Sequence, residues 1–390
     1  MKHFLCTFLL LICALSVSSK GDLQTVIKIA DHILQNHNNE LTTDDKGHVS
    51  IASYYQEWRY VNGVLALSML DLANETKDKR YSEFVKNNYN FFFNNNINKQ
   101  LKAEYEKGIR NTGYYRFFSM SSLDDCGAMG AGLSELNKKY PSKQYQDYLK
   151  RIANYILKKQ ERLSDGTFCR GEEGKETIWA DDLYMSLSFL THYGATTNDK
   201  ECFDCAASQV IKFDSLLFDN TTGLYYHCYY NETKQQGVAH WGRANGWTLM
   251  AQALLLNYMP VDHPLRKKIL TIFKKQVNNI ARYQSKNGMW HQLLDKNDSY
   301  LETSCTAMFA YAIAKGVNEK WLSKDYASIA IKAWEGICSF ITEDHQVKNI
   351  CMGTGISQDL PFYYNRPAPL NDVHGLGAII LAGLEIVKLN

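Results

Sequence analysis

Six times along this chain a helical stretch that is amphipathic and charged gives way to one rich in small residues, and this alternation limits the fold more than any other feature. The small residues stand at Gly127, Ala128, Gly130, Ala131 and Gly132, at Ala244, Gly246, Ala251 and Ala253, at Ala307, Ala310 and Ala312, and at Gly375, Gly377, Ala378, Ala382 and Gly383. Helices built this way can be approached closely on several sides, so they belong inside. The intervening stretches are different. Residues 145–160 carry Lys150, Arg151, Lys158 and Lys159, and residues 264–283 carry Arg266, Lys267, Lys268, Lys274 and Lys275, the one-sided charge of helices that face water.

Apolar periodicity and turn signals predict helices over 24–37, 57–73, 79–95, 124–139, 143–161, 180–193, 200–217, 243–257, 264–284, 302–315, 323–341 and 372–388. Only 6 prolines interrupt 390 residues, which suits an all-α chain. Twelve helices in six hairpins, with every second one small-residue-rich, predict an (α/α)6 toroid: an inner ring of six within an outer ring of six. It is expected to be one domain over 20–390, preceded by a signal peptide at 1–19, where basic Lys2 leads into an uncharged run over 4–17.

Charge and cysteine content narrow the classes further. Lys plus Arg number 43 against 41 Asp plus Glu, a formal net charge of +2, so bulk charge recruits no nucleic acid. No later segment is long and uncharged enough to span a membrane. A secreted or secretory-pathway protein, acting as a monomer, is the expectation. Asn74, Asn220, Asn231 and Asn297 open glycosylation sequons. Beyond the leader stand Cys126, Cys169, Cys202, Cys205, Cys228, Cys305, Cys338 and Cys351, for which some disulfides are plausible. Cys202 and Cys205 read as a disulfide or as ordinary helix residues, because no second cysteine pair at zinc-binding spacing accompanies them.

Long connections lead into the inner helices, and three carry a glycine followed closely by an aromatic: Gly166-Thr167-Phe168, Gly223-Leu224-Tyr225 and Gly288-Met289-Trp290. Taken singly, each could be a plain turn with one buried aromatic; their shared position suggests a site. Unusual polar and aromatic residues stand at the start of every inner helix: Glu57, Trp58, Tyr60 and Asn62; Asp124 and Asp125; Trp179, Asp181 and Asp182; Trp241, Arg243, Asn245 and Trp247; Glu302, Thr303 and Ser304; Asn371, Asp372 and His374. Helix capping accounts for any one acidic pair. It does not call for tryptophans, an arginine and a histidine at the same end, whereas a sugar needs aromatic faces beside polar edges.

Six helix N-termini aimed at one cavity favour an anion, each by roughly 0.3–1 kcal/mol, so a carboxylated sugar is the expected ligand. Arg243 could hold that carboxylate, or could be tied to an inner aspartate. Asp125 and Asp181 are the acid/base candidates, and burial should raise the pKa of one of them. Retaining and inverting hydrolysis both stay open without their separation. His227 and His291 are either binding residues or packed histidines. No metal-ligand spacing occurs, and no cofactor is expected.

Several strings resemble the signatures of the unsaturated rhamnogalacturonyl hydrolases, glycoside hydrolase family 105. They are Leu123-Asp124-Asp125-Cys126-Gly127-Ala128-Met129-Gly130, Trp179-Ala180-Asp181-Asp182-Leu183-Tyr184-Met185, His240-Trp241-Gly242-Arg243-Ala244-Asn245-Gly246-Trp247, Met289-Trp290-His291-Gln292, Glu302-Thr303-Ser304-Cys305-Thr306-Ala307-Met308, and Gly353-Thr354-Gly355 through Asn371-Asp372-Val373-His374-Gly375. They occur in order along nearly the whole chain beyond the leader, and only Ala180 and Cys305 depart from the pattern. The resemblance implies the toroid and an unusual reaction: hydration of the C4=C5 double bond that a polysaccharide lyase leaves on a terminal uronic acid. It implies Asp181 as the acid/base, Asp125 as its assistant near the ring, and His227, Arg243 and Trp247 as substrate-binding residues, with no cofactor. Two alternatives stand beside it. One is a related unsaturated glucuronyl hydrolase acting on glycosaminoglycan fragments; the other is a catalytically silent sugar-binding protein on the same toroid.

Overall fold

The computed structural model describes residues 21–171 and 175–389, so the expected leader at 1–19 lies outside the described residues. Its helices are α1 (21–35), α2 (Tyr60–Thr76), α3 (Lys79–Phe93), α4 (Asn95–Glu106), α5 (Tyr115–Ser119), α6 (Leu123–Lys139), α7 (Lys143–Asn154), α8 (Asp181–Thr197), α9 (Lys200–Leu217), α10 (Gly242–Tyr258), α11 (Arg266–Ala281), α12 (Thr303–Asn318), α13 (Ala327–Cys338), α14 (Leu360–Tyr364) and α15 (Val373–Val387). Short antiparallel strands fill the loops: β1 (Leu41–Thr43) with β2 (Val49–Ile51), β3 (Thr177–Trp179) with β4 (Cys228–Tyr230) and β5 (Gln235–Gln236), and β6 (Trp290–His291) with β7 (Leu301–Glu302).

Helices α2, α6, α8, α10, α12 and α15 pack each on the next, and α15 returns to α2. The ring is closed, and the expected all-α toroid is observed. Glycine sets its tightness. A methyl at Gly127 would lie 1.4 Å from the Met185 carbonyl oxygen of α8, and one at Gly63 would lie 2.2 Å from the backbone of Ala128. The small residues of α2 and α6 therefore mark places where one helix backbone rests on another. The outer layer is amphipathic as expected: α7 buries Tyr145, Tyr148, Leu149, Ile152 and Ala153 and leaves Lys150 and Arg151 in water.

Three features depart from the expectation. Helix α2 begins at Tyr60, after a short turn, instead of at 57. The short helices α4, α5 and α14 were not foreseen; Asn94 ends α3 and caps α4 by accepting from Asn96 N–H and Ile97 N–H, a boundary hidden in an asparagine-rich stretch without clear periodicity. All eight cysteines named above are free, and Cys202 and Cys205 are ordinary residues of α9. Among the described residues no helix is long and apolar enough to cross a membrane.

The three glycine–aromatic loops follow the plainer of their two readings. Gly166, Gly223 and Gly288 have φ of +85°, +79° and +89°, the region where a side chain is strained, and Phe168, Tyr225 and Trp290 are fully buried. Each loop is pinned to an outer helix: Phe168 N–H donates to Gln209, the Tyr225 hydroxyl to Asp214, and the Trp290 indole to the Ile280 carbonyl. These anchors position the residues further along each loop, of which Arg170 and His227 reach the ring's mouth.

Candidate active site

The leading ends of the inner helices meet at one mouth, linked by side-chain contacts. Tyr60 of α2 packs on Trp247 of α10 and on His374 of α15, Arg170 joins Asp124 of α6 to Asp182 of α8, and Arg243 of α10 reaches Ser304 of α12. Asp181 is the first residue of α8. Pairing of β3 with β4 sets Trp179 opposite Cys228, and Ala180 N–H donates to the His227 carbonyl at 2.9 Å. This main-chain register brings the His227 ring against the carboxylate.

His227 Nε2 lies 3.0 Å from Asp181 Oδ2, and on its other side Nδ1 lies 2.9 Å from the Tyr363 hydroxyl. The Tyr363 oxygen in turn accepts from Ser357 N–H at 3.2 Å. His227 is fully buried, with Trp241 against its ring; the Asp181 side chain keeps 13% of its surface open, enough to meet a reacting atom. Burial alone would raise the Asp181 pKa, but the charge and hydrogen bond of His227, helped by Arg170 and Arg243, outweigh it and hold the carboxyl below its ordinary value. The expected upward shift belongs instead to Asp182. Burial pushes that carboxyl up, although Arg170 grips it with a fork of hydrogen bonds at 2.7 and 2.9 Å.

Around this pair stand buried donors with no hydrogen-bond partner among the described residues: Arg243 Nε, Trp247 Nε1 and Trp241 Nε1. Such groups are costly to bury unsatisfied and ready for an incoming oxygen. Arg243 makes no salt bridge to an inner aspartate. Its Nη atoms are held by the carbonyls of Cys351 and Met352, so it brings positive charge and a free Nε edge to the site. Trp179 lies under the Arg170 guanidinium, 4.0 Å from it, with its edge toward His227. His374 contacts Asp372; burial lowers its pKa and the Asp372 contact offsets only part of that.

Several residues expected at the site serve the scaffold. The Asp125 carboxylate accepts from Ser119 Oγ, Ser121 N–H and Ser121 Oγ at 2.8–3.1 Å and pairs with Arg116, so it is fully engaged away from Asp181. Asp124 is the member of that pair that faces open space. Trp58 is fully buried among Tyr89, Phe92, Phe117 and Tyr148. Asn62 donates to the carbonyls of Tyr54 and Glu57, Thr303 donates to the Lys348 carbonyl, and Ser304 bonds the carboxylate of Glu302. His291 contacts the Ser299 carbonyl and borders a separate surface hollow. Glu302 and Asp372 do cap helices, as the plainer reading held. Replacing Asn62 by Ala should therefore lower stability by about 1 kcal/mol, through the lost hydrogen bonds to the Tyr54 and Glu57 carbonyls, and leave KM unchanged. Chemical denaturation beside steady-state kinetics checks both; a raised KM with unchanged stability would return Asn62 to the binding site.

Arg170 and Tyr363 were missed. Arg170 is one of two cations, with Lys175, in the loop before Trp179 and carries a faint signal; Tyr363 lies 136 residues from its partner His227 and carries none. A groove of about 580 Å³ opens beside the Asp181 cluster, with Tyr60, Asp124, Met352, Gly353 and His374 along it and the exposed Tyr54 and Leu370 at its rim. Asp181 adjoins this groove instead of lining it. Tyr60, a groove residue, feels the charges of Arg243, Asp124, Asp181 and Arg170, and so joins the two.

A helical toroid with a carboxylate–imidazole pair and partnerless donors at its mouth defines a carbohydrate-processing hydrolase, and known proteins bear this out. The family model for Glycosyl Hydrolase Family 88 matches residues 28–390, and the chain belongs to that family. It is similar to the unsaturated rhamnogalacturonyl hydrolase YesR of Bacillus subtilis (strain 168), 28% identical over 257 residues that span 64% of this chain and 72% of the relative. The fold matches that of a possible family 105 member from Salmonella enterica serovar Paratyphi A, with TM-score 0.80, 23% identity and coverage of 95% and 94% of the two chains. It also matches the unsaturated glucuronyl hydrolase of Bacillus sp. GL1, with TM-score 0.66, 12% identity and coverage of 94% and 96%. The likeness to family 105 and the toroid, both read from the sequence, hold, and the chain is a glycoside hydrolase.

Proposed function

We propose that this enzyme removes a 4,5-unsaturated uronic acid from the non-reducing end of lyase-generated, pectin-type oligosaccharides. The observation that carries the reading is Asp181 at the N-terminus of α8, partly open, with one carboxylate oxygen on His227, whose other ring nitrogen is held by Tyr363. The sugar's double bond belongs to an enol ether, so one acid suffices. Asp181 delivers a proton to C4, and the positive charge that develops is shared between C5 and the ring oxygen. The same carboxylate then takes a proton from the water that adds at C5. The resulting hemiketal opens and releases the remaining chain. Arg170 and Arg243, with the converging helix ends, favour the sugar's carboxylate, and the free donors on Arg243, Trp241 and Trp247 suit its oxygens. No step requires a cofactor. The likeness to YesR supports the pectin-type substrate over a glycosaminoglycan fragment. Incubation of purified protein with lyase-generated disaccharides tests the reading through the ultraviolet absorbance of the double bond: decay with release of the second sugar is expected, and a persistent signal refutes it.

The low Asp181 pKa has a consequence for this chemistry. The free enzyme presents a carboxylate, yet the first step needs the acid. A sugar carboxylate arriving beside it is a like charge, which raises the Asp181 pKa. Between the free and the bound values the complex holds more protons than the separate partners, so binding should be accompanied by proton uptake over that pH range. Calorimetric titration in buffers of different ionisation enthalpy measures this; proton release, or equal uptake by Asp181→Asn, contradicts it. The proposal includes a secretory route and a monomeric enzyme. Its support on the first point is the apolar leader and the exposure of Asn74, Asn220 and Asn297; Asn231 is half-buried and donates to Glu176.

A further inference from the structure

We infer that the ring holds a second ligand site at the end opposite Asp181: an axial well that takes a small alkylammonium ion, with Asp71 as its counter-charge. The site is independent of the chemistry assigned to Asp181.

A well of about 550 Å³ opens where the inner helices finish, and all six supply its wall, among them Asp71 of α2, Glu135 of α6, Tyr184 of α8, Tyr258 of α10, Tyr311 of α12 and Glu385 of α15. The last carbonyls of these helices end around it, and their partial negative charge favours a cation as the leading ends favour an anion. The well is deep: Tyr184 stands three residues beyond Asp181 on α8, and its ring centroid lies 4.7 Å from that of Trp247 at the catalytic mouth. Two polar groups in the well lack partners. The Tyr184 hydroxyl is fully buried without a hydrogen bond among the described residues. Asp71, exposed to the well, makes no hydrogen bond or ion pair there, and burial pushes its carboxyl up to about 6 against the pull of Lys388 and Lys315. The hydroxyls of Tyr184, Tyr258 and Tyr311 all feel the Asp71 charge, which gathers them around it. A carboxylate and a hydroxyl enclosed without partners are costly to keep, and an ammonium donor satisfies both.

The well's own cations are engaged elsewhere. Lys138 pairs with Glu135, Lys315 with Glu319 and Glu385, and Lys388 with Glu385, while Lys139 donates to Ser82. Glu75, one turn beyond Asp71 on α2, is a further carboxylate of the well without an ion pair among the described residues. The cation that suits the well is organic. No group of three histidine, cysteine or carboxylate side chains among the described residues could hold a metal ion, whereas Leu70, Met250 and Leu384 offer apolar wall to a hydrocarbon chain. The tyrosine rings add faces that attract an ammonium.

Calorimetric titration of the whole protein with n-butylammonium chloride, in an amine-free buffer well above the Asp71 pKa, tests this, with n-butanol as the uncharged control. The ammonium should bind with a Kd of about 1 mM or tighter, and about tenfold or more better than the alcohol. Asp71→Asn, which keeps the shape of the side chain, should lose about tenfold in affinity while its thermal melt stays two-state and so reports an intact fold. Tyr184→Phe, which removes one hydroxyl and no ring, should weaken binding by about threefold or more, and it decides the matter should Asp71→Asn fail to fold. Asp181→Asn should bind the ammonium as the wild type does, because the two carboxylates lie at opposite ends of the ring. No binding of n-butylammonium, equal affinity for the alcohol, undiminished affinity in Asp71→Asn and Tyr184→Phe, or loss of binding in Asp181→Asn overturns the inference.

Discussion

Asp181→Asn is expected to lower kcat by about 10³-fold or more, at the upper part of the range for general acid–base catalysis, because a single group serves both proton transfers. The amide keeps the shape of the carboxylate and can still bond His227, but it can neither give a proton to C4 nor take one from water. KM should change little by comparison. The folded protein should survive, since Asp181 caps no helix and its polar contact is the one with His227. A small stability loss at neutral pH is nevertheless expected. The folded pKa of Asp181 lies below the ordinary 3.8, so its ionised form adds stability above that value. That contribution disappears as the pH falls through the folded pKa, and wild type and variant should converge there. Initial rates of absorbance loss and thermal melts over a pH series measure the two effects; a variant within tenfold of wild-type kcat would remove Asp181 from the chemistry.

The largest effect on stability is expected from Gly127→Ala. Its new methyl would stand 1.4 Å from the Met185 carbonyl oxygen and 2.6 Å from the carbonyl carbon, and neither atom can turn aside. Helices α6 and α8 would have to separate. Overpacking a core ordinarily costs about 1–3 kcal/mol, and a backbone clash should reach or exceed the top of that range. Gly130→Ala is the comparison, because its methyl meets the side chains of Phe189 and Ile152, at 2.6 and 2.8 Å, which can shift. Urea unfolding should rank Gly127→Ala as the more damaging; the reverse order would mean that the inner helices slide more easily than their side chains repack. Activity should suffer as well, because α6 and α8 carry the Asp124 and Asp182 that grip Arg170 from two sides.

The architecture was legible in the sequence because its causes are local. Helical period, charge on one face and small side chains on every second helix are properties of short windows, and they specify which helices lie inside and hence which ends converge. Asp181 was legible through a short string, and His227 as a candidate beside it; that the fold joins the two was not foreseen. Roles among neighbours were not legible. Asp124 and Asp125 are adjacent and identical in type, yet one faces the groove and the other is enclosed by Arg116 and two serines. Trp58 resembles Trp247 in composition and position, but the rings that enclose it come from α3, α5 and α7.

By itself, then, the order of residues determined a closed ring of twelve principal helices and the end at which its polar residues gather, since both follow from side-chain size and spacing within one or two turns, while the preference for Asp181 over Asp125 came from the resemblance to family 105. Only the tertiary structure decided which carboxylates remain available, that Arg243 is gripped by the carbonyls of residues 351 and 352, and that Tyr363 completes the contact to His227. Those outcomes depend on partners up to 136 residues away. A polar side chain's availability is set by whichever group reaches it first when the ring closes, and no local pattern records that.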